Sequence, residues 1–274
     1  MIFAPGQCLK AVVKILPGVF NPLAAMAAKQ AGFKALYLSG GALSASLGKP
    51  DIGLIAFEEL VRTARAIVEA THLPLLVDAD TGYAEVSHCV KSLEKAGAFG
   101  LHIEDQLFPK RCGHLEGKEL VPTEAMCEKI RAACRARKSK NFLIMARTDA
   151  RGVEGLEAAI KRARAYVKAG AGGLFPEGLT SAEEFKTFAK AFHGTPLLAN
   201  MTEFGKTPLI DADQFAKMGY AMVIFPVTLL RLAMKAIEEG LKEIKTKGTQ
   251  QDLIEKMQTR KELYKLLDYK PNAQ

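Results

Sequence analysis

The chain has 274 residues, a formal net charge of +8, 49% hydrophobic residues and 25% charged residues. This composition is typical of a soluble globular protein and argues against disorder. The lysines and arginines are spread among acidic residues without a basic run, so the positive charge fits an anionic substrate, or no special partner, at least as well as a nucleic acid.

The cysteines and the hydropathy of the chain exclude further classes of protein. The five cysteines include no CxxC pair, which argues against a disulfide framework and a zinc ribbon. No run approaches the roughly 18 apolar residues that span a bilayer, and the N-terminal stretch has no clear cleavage site. The sequence therefore predicts a reduced, cytoplasmic protein that does not act at a membrane.

Eight short apolar runs recur along the chain, and each ends in polar or turn residues before a helical pattern. In chain order they are VVKILPGVFN, ALYLSGG, PLLVDADTG, GLHIEDQ, FLIMARTD, GLFPEG, PLLANMTEFG and MVIFPVT. The segments between them, such as 57–71, 155–170 and 181–192, carry apolar residues at helical spacing. Several of these segments end in Ala-Gly, where glycine terminates a helix.

Near-continuous apolar strands that alternate with helices indicate a parallel sheet covered by helices. Eight such units in about 250 residues favour an α/β fold of the (β/α)₈ TIM-barrel type, in a single domain over 1–274. A doubly wound dinucleotide fold is not favoured, because the first strand is not followed by GxGxxG. The segment 229–270 is more helix than one barrel repeat needs, so we expect it to pack outside the barrel or against another subunit.

Acidic residues stand where the third and fourth predicted strands end. Asp78 and Asp80 lie two positions apart in DAD, and Glu104 lies two positions beyond His102 in HIED. Side chains two apart on a strand share a face, and barrel enzymes act at the carboxyl ends of the strands. Three carboxylates there need a cation, and all-oxygen ligands suit Mg²⁺ or Mn²⁺. The alternative for a single strand-end acid is helix N-capping, which would fit Asp105 or Asp149.

Other polar residues at the strand ends are candidates for substrate binding. Arg147 shares a face with Met145, and its guanidinium suits a substrate carboxylate. The sequence Ser39-Gly40-Gly41 is either an anion cradle or an ordinary turn. Phe175 and Met201 are pocket walls or barrel core, with core favoured for Met201. A ring of polar side chains completes the predicted mouth: Glu177, Asn200 and Thr202.

The sequence KRCGH follows the fourth strand and places Cys112 beside Lys110, Arg111 and His114. Nearby positive charge favours the thiolate, so this cysteine is a candidate for proton transfer or nucleophilic attack from a loop over the metal site. The alternative is a surface loop with an incidental cysteine.

Together these residues resemble the isocitrate lyase/phosphoenolpyruvate mutase superfamily, and within it the branch that cleaves 2-methylisocitrate. The matching stretches run in the expected order from about residue 35 to 267: YLSGG, PDIG, LLVDADTGY, GLHIEDQ, KRCGH, IMARTDA, LFPEG, LANMTEFG and MQTRKELY. The resemblance implies a retro-aldol cleavage of a 2-hydroxy tricarboxylate, giving pyruvate and succinate from the methylated substrate. Related acids such as isocitrate or oxaloacetate are the alternative substrates.

The resemblance also implies roles for individual residues. Asp78 and Asp80, with Glu104, would hold Mg²⁺ (Mn²⁺ being possible), and Asp51 matches a family acid near the metal. Tyr37 would be the base, and Cys112 the acid with His114 beside it. The carboxylates of the substrate would be bound or supported by Ser39, Gly40, Gly41, Gly113, His114, Arg147, Glu177, Asn200, Thr202, Arg231 and Arg260. The family forms tetramers by exchanging C-terminal helices, which would account for the additional helix.

Overall fold

We describe the protein from a computed structural model, which describes residues 13–111 and 117–270. Eight strands alternate with helices: β1 (Lys14–Val19), β2 (Leu36–Leu38), β3 (Leu75–Asp78), β4 (Gly100–Glu104), β5 (Leu143–Thr148), β6 (Gly173–Pro176), β7 (Leu198–Asn200) and β8 (Met222–Phe225). The helices of the barrel are α1 (Pro22–Gln30), α2 (Gly40–Ser46), α3 (Phe57–Thr71), α4 (Val86–Lys95), α5 (Thr123–Ala136), α6 (Arg151–Glu154), α7 (Leu156–Lys168), α8 (Ala182–Ala191) and α9 (Ala212–Met218). The predicted helices at 57–71, 155–170 and 181–192 correspond to α3, α7 and α8.

The strands form one parallel sheet in the order β6-β5-β4-β3-β2-β1-β8-β7. A single parallel bridge between Leu174 and Leu197 joins the two outermost strands of that order, so the sheet closes on itself. The predicted (β/α)₈ barrel is therefore confirmed. In this fold the carboxyl ends of all eight strands meet at one mouth.

Alternation along the strands divides the core into two layers. Leu75 and Val77 of β3 pack outward against the helices, whereas Leu76 points into the barrel. The interior layer also contains Leu16, Tyr37, Met145, Phe175, Leu198, Met222 and Ile224. The sequence favoured barrel core for Met201; it is buried, but in the outer layer between the sheet and the helices, whereas Phe175 belongs to the interior layer.

Local sequence explains where several helices begin. The side chain of Asn21 accepts a hydrogen bond from the backbone of Ala24 and precedes Pro22, the first residue of α1. Ser181 and Asp211 cap α8 and α9 in the same way. The short α2 was not predicted: Ser39 caps it, and Gly40 and Gly41 are its first residues.

The chain after β8 is helical. It forms α10 (Thr228–Lys247), a 3₁₀ helix (Gln251–Lys256) and α11 (Arg260–Leu266), which begins with a capping box of Thr259 and Glu262 and lies against α1. In α10 no residue is fully buried, and apolar side chains lie on its surface. Within the described ranges, no helix has the length and apolar character needed to cross a bilayer.

Candidate active site

The polar residues at the strand ends enter the barrel mouth because they follow interior positions at a spacing of two. Asp78 follows Leu76, and Arg147 follows Met145. Both line one pocket at the mouth. Its other polar or charged lining residues are Tyr37, Ser39, Asp51, Lys110, Arg111, Glu177, Asn200 and Thr202.

Asp78 is held by three donors at the edge of this pocket. Its Oδ2 accepts hydrogen bonds from the Tyr37 hydroxyl and the Gly40 amide, each at 3.2 Å, and its Oδ1 accepts one from the Asp80 amide at 3.2 Å. A Cβ at position 40 would lie 2.8 Å from Oδ2, so this close approach requires glycine. The Ser39-Gly40-Gly41 sequence thus starts α2 and also cradles an anion, which is the side chain of Asp78.

Tyr37 and His102 form a buried pair beneath Asp78. The Tyr37 hydroxyl lies 2.9 Å from Nε2 of His102, and the two rings are stacked. Burial lowers the pKa of His102 to about 4, so the ring is neutral at pH 7. Burial, reinforced by the charge of Asp78, raises the pKa of Tyr37 well above its usual value. These surroundings favour the neutral phenol, so they suit Tyr37 better as a donor to Asp78 than as the expected base.

Asp80 lies just beyond β3, at a left-handed φ of 49°, rather than on the strand as the sequence suggested. Its Oδ1 forms an ion pair with the ammonium group of Lys110, which also lies 2.6 Å from Oδ1 of Asp51. Lys110 is buried, and the surrounding carboxylates outweigh the effect of burial and raise its pKa well above the usual value. Burial raises the pKa of Asp80 to about 6, against the opposing effect of Lys110.

Glu104 is fully buried, and neither of its side-chain oxygens accepts a hydrogen bond from the part of the chain that the structure describes. A buried carboxylate without donors is costly unless a cation compensates it. Burial raises its pKa well above the usual value, although Arg147 opposes this and lies 3.2 Å from Oε2.

No three Asp, Glu, His or Cys side chains of residues 13–111 and 117–270 are arranged around one point as metal ligands. Mg²⁺, however, commonly takes only one or two carboxylates and completes its octahedron with water and substrate oxygens. Asp78 lines the pocket. Both side-chain oxygens of Glu104 and Oδ1 of Asp80 are buried and accept no hydrogen bond from the described residues, although Oδ1 of Asp80 forms the ion pair with Lys110. These three carboxylates therefore fit that kind of site.

The guanidinium of Arg147 is held in place by the carboxylate of Asp149. Its Nε and Nη2 donate to the two oxygens of Asp149 at 3.0 and 3.2 Å, and its guanidinium lies over the ring of Phe175. Glu177 lies 3.7 Å from Nη2 and accepts a hydrogen bond from Asn200. The bidentate bond to Asp149 fixes the plane of the guanidinium and leaves its remaining edge for a ligand.

Asp105 and Asp149 do not cap helices, which was the alternative for strand-end acids. Asp105 is fully buried and accepts hydrogen bonds from the Thr148 hydroxyl, the Asp149 amide and the Tyr166 hydroxyl. Asp149 pairs with Arg147 and, at 3.1 Å, with Lys118. Asp149 therefore fixes the side chain of Arg147, and Asp105 in turn fixes the backbone of Asp149.

Five predicted site residues of the described ranges are not part of the lining of this pocket: Gly40, Asp80, Glu104, Arg231 and Arg260. Arg231 is exposed on α10, donates to the backbone carbonyl of Glu203 and lies over the ring of Phe204. Arg260 is exposed at the start of α11. Cys112, Gly113 and His114 lie outside the described residues.

The predicted site residues did not include Lys110 and Arg111, which line the pocket, or His102, which contacts Tyr37. In the sequence, Lys110 was considered only as a positive charge beside the thiol of Cys112. His102 was considered only as the strand residue two positions before Glu104. A charge count would have indicated Lys110, because four clustered acids, including Asp51, need more positive charge than Arg147 provides. No sequence signal gives the pairing of His102 with Tyr37, which depends on the register of three adjacent strands.

A comparison with protein families identifies the family of the chain. The sequence model of phosphoenolpyruvate phosphomutase matches residues 7–245 of the chain. The chain belongs to the phosphoenolpyruvate mutase/isocitrate lyase superfamily. Membership agrees with the arrangement of the pocket at the carboxyl ends of the barrel strands.

Curated members of the superfamily match almost the whole chain. A 2-methylisocitrate lyase of Aeropyrum pernix is 52% identical over 273 residues, which covers 97% of this chain and 88% of the relative. A 2-methylisocitrate lyase of Bacillus subtilis is 49% identical over 257 residues, which covers 93% of this chain and 84% of the relative.

Solved structures of the superfamily share the fold. The crystal structure of a 2,3-dimethylmalate lyase superposes with a TM-score of 0.89 at 36% identity and covers 94% of this chain and 87% of its own. A phosphonopyruvate hydrolase in complex with oxalate and Mg²⁺ has a TM-score of 0.84 at 30% identity and covers 93% of this chain and 90% of its own.

Proposed function

We propose that this chain is a carbon–carbon lyase that cleaves 2-methylisocitrate into pyruvate and succinate, with Mg²⁺ as cofactor and Mn²⁺ as a possible substitute. The observation that carries this proposal is the similarity to curated 2-methylisocitrate lyases at 49–52% identity over more than nine tenths of the chain. The pocket supports it, because carboxylates that suit a divalent cation lie beside the clamped guanidinium of Arg147.

The reaction breaks the bond between the carbon that carries the hydroxyl group and the neighbouring carbon. The hydroxyl loses its proton and becomes the carbonyl of pyruvate, while the bonding electrons move to the carbon that becomes a methylene of succinate. That carbon then takes up a proton, so atoms and charge balance. A bound Mg²⁺ supplies positive charge to the hydroxyl and carboxylate oxygens of the substrate. Asp78, Asp80 and Glu104 are the residues that would hold it, with Asp51 close by.

Residues of this chain would bind and orient the tricarboxylate. The guanidinium of Arg147 suits one carboxylate, and Asn200 and Thr202 add polar groups to the same pocket. Glu177 is buried between Arg147 and Asn200: it lies 3.7 Å from Nη2 of Arg147 and accepts a hydrogen bond from Asn200. Phe175, which lines the pocket and belongs to the barrel interior, offers an apolar surface for the methyl group.

The two proton transfers need an acceptor and a donor. We propose Cys112, with its neighbour His114, as the donor to the carbon of succinate, because cations beside a thiol make it a better acid. Tyr37 remains the candidate acceptor from the hydroxyl, since its oxygen lines the pocket. In that role the phenol would have to lose its proton first, so a cation bound at Asp78 would be required to offset the negative charge of that carboxylate.

The direct test is product analysis. Purified protein with Mg²⁺ is incubated with 2-methylisocitrate, and pyruvate and succinate are quantified separately; we expect both in equal amounts. Excess EDTA should abolish the reaction, and Mg²⁺ should restore it. Isocitrate, 2,3-dimethylmalate and oxaloacetate are run in parallel, and faster turnover of any of these than of 2-methylisocitrate would overturn the substrate assignment while keeping the superfamily chemistry.

A pair of variants tests the proposed acid. Cys112→Ser should lose at least about 10²-fold in kcat, because a serine hydroxyl is a much weaker acid than a thiol. Cys134→Ser is the matched control, since Cys134 lies on α5 and donates to the carbonyl of Gly170 away from the pocket. A Cys112→Ser enzyme with kcat near that of the control would remove Cys112 from this role.

We further propose that the chain forms a homotetramer through its C-terminal helices. Met234, Ile237, Leu241 and Ile244 repeat at spacings of three and four on α10, and each is 45–63% exposed. Such a stripe is typical of a helix that packs against another helix. A second copy of the chain is the partner that this proposal requires.

A further inference from the structure

The side chain of Lys110 reaches between two acids at the mouth of the barrel. Its ammonium group contacts Oδ1 of Asp80 and Oδ1 of Asp51, and its side chain is only 3% exposed. Arg147, another cation of the pocket, is engaged by Asp149, Glu104 and Glu177. Lys110 is therefore the cation that compensates Asp80 and Asp51 in this structure.

We propose that Lys110 is the internal counter-ion of the metal-binding carboxylates: it competes with the divalent cation for Asp80 and Asp51, and the cation releases it toward the substrate. This inference rests on the metal site of the proposed function. Two positive groups cannot share Asp80 without repulsion, because charges a few ångströms apart in a buried pocket interact strongly. Binding of the cation therefore requires the ammonium group to leave.

The backbone around Lys110 suits a movement of the side chain alone. The side-chain amide of Gln106 accepts a hydrogen bond from the Arg111 backbone N–H at 2.8 Å and donates one to the Arg111 carbonyl at 2.9 Å. This pair of bonds anchors the chain next to Lys110. A change of rotamer then carries the ammonium group from the carboxylates into the pocket that Lys110 already lines.

Pocket size gives an independent reason for such a movement. The cavity between Lys110, Arg147 and Asn200 has a volume of ≈ 70 Å³, well below the roughly 300–1,000 Å³ of typical ligand pockets. A tricarboxylate is larger, so a lining side chain must move before it binds. Release of Lys110 both enlarges the cavity and supplies a cation to an incoming carboxylate, which predicts that the metal binds before the substrate.

The test measures metal affinity without any organic ligand. Mn²⁺ is titrated into the full-length protein, and free Mn²⁺ is followed by electron paramagnetic resonance. Lys110→Gln removes the competing charge and should bind Mn²⁺ at least about tenfold more tightly than the unmodified protein. Lys110→Arg keeps a cation, so its affinity for Mn²⁺ should stay within about threefold of that of the unmodified protein. This variant controls for a general effect of substitution at position 110.

Lys118→Gln is the matched control, because Lys118 is equally buried but pairs with Asp149 rather than with Asp51 or Asp80. It should not tighten Mn²⁺ binding. At saturating Mn²⁺, Lys110→Gln should raise KM for 2-methylisocitrate by about tenfold or more, since the released cation is missing. Equal or weaker Mn²⁺ binding in Lys110→Gln, or equal tightening in Lys118→Gln, overturns the inference. The titration needs no turnover, so it is independent of whether the substrate assignment holds.

Discussion

The Nε2 atom of His102 lies 2.9 Å from the hydroxyl oxygen of Tyr37, and this hydroxyl in turn lies 3.2 Å from Oδ2 of Asp78. The phenol has one proton, so it can donate to only one of these neighbours. The other ring nitrogen of His102, Nδ1, is buried and has no hydrogen-bond partner among the described residues. A buried N–H without an acceptor is rarer in proteins than an unsatisfied acceptor. The contacts therefore assign the hydrogen to Nε2, which donates to Tyr37, which donates to Asp78.

This assignment predicts one tautomer of His102. In ¹⁵N NMR spectra at neutral pH, Nε2 of His102 should give a signal of a protonated nitrogen and Nδ1 that of an unprotonated one. His102→Gln keeps a donor near the Nε2 position, whereas His102→Leu removes it and should cost about 1–3 kcal/mol in the free energy of unfolding. A signal of protonated Nδ1, or equal stability of the Gln and Leu variants, would contradict the assignment.

Gly40→Ala should disturb the metal site. A Cβ at this position would lie 2.8 Å from Oδ2 of Asp78, so the carboxylate has to move. We expect Mn²⁺ affinity, measured as above, to fall at least about tenfold, because metal sites depend on ligand geometry. Gly240→Ala in α10 is the control, since nothing lies within 3.9 Å of its added Cβ. Unchanged Mn²⁺ affinity in Gly40→Ala would show that the position of Asp78 does not matter for the metal.

Arg147→Lys should weaken substrate binding, because an ammonium group cannot donate in parallel to a carboxylate while it is clamped by Asp149. We expect kcat/KM for 2-methylisocitrate to fall at least about tenfold. Arg151→Lys is the control: Arg151 also follows β5, but it pairs with Glu184 and Thr180 outside the pocket. Equal kinetic effects of the two substitutions would argue against a role of Arg147 in binding.

The ion pair between Arg151 and Glu184 predicts a dependence of stability on pH. Hydrogen bonds from Arg151, against the effect of burial, lower the pKa of Glu184 from its usual value of 4.5. A lowered pKa stabilises the folded state above the unfolded pKa, and this contribution is lost as the pH falls through the folded pKa. Glu184→Gln should therefore cost about 1–2 kcal/mol at pH 7 and almost nothing well below pH 4.5, as measured by urea unfolding. A difference that stays constant with pH would contradict this.

The stripe on α10 predicts the state of assembly. Ile237→Asp with Leu241→Asp places two charges on the exposed apolar face and should lower the molar mass in solution, measured by light scattering, from that of a tetramer. Lys235→Asp changes an exposed charged residue of the same helix and should leave the mass unchanged. A mass that is the same in all three proteins would show that this stripe does not hold the assembly together.

Strand parity explains why much of the site could be predicted from the sequence. Asp78, Glu104 and Arg147 follow interior residues at a spacing of two, so the barrel alone brings them to the mouth. The alternation of side chains along a strand does not predict where residues beyond the end of the strand are placed. A left-handed turn brings Asp80 to Lys110, and Asp51 could be named only through the resemblance to a family.

The contacts of the loops were beyond the reach of the sequence for a physical reason. Where Lys110 places its ammonium group depends on the path of the chain after β4, which Gln106 fixes through hydrogen bonds to the Arg111 backbone. The role of Asp149 was misjudged as a possible helix cap because its actual partners, Arg147 and Lys118, come from a strand and from a separate loop. Long-range pairs of this kind leave no periodicity in the chain.

The bridge between Leu174 and Leu197 is the single bridge across the junction of β6 and β7 within the described chain. Elsewhere around the barrel, neighbouring strands are joined by ladders of two or more paired residues. Glu177 and Asn200 stand just above this junction, one on each side, and their side chains are hydrogen-bonded. A substrate that contacts both residues links the two strands that share the fewest backbone pairs in the barrel. We therefore expect substrate binding to slow amide hydrogen exchange in β6 and β7 more than in the strands on the other side of the barrel.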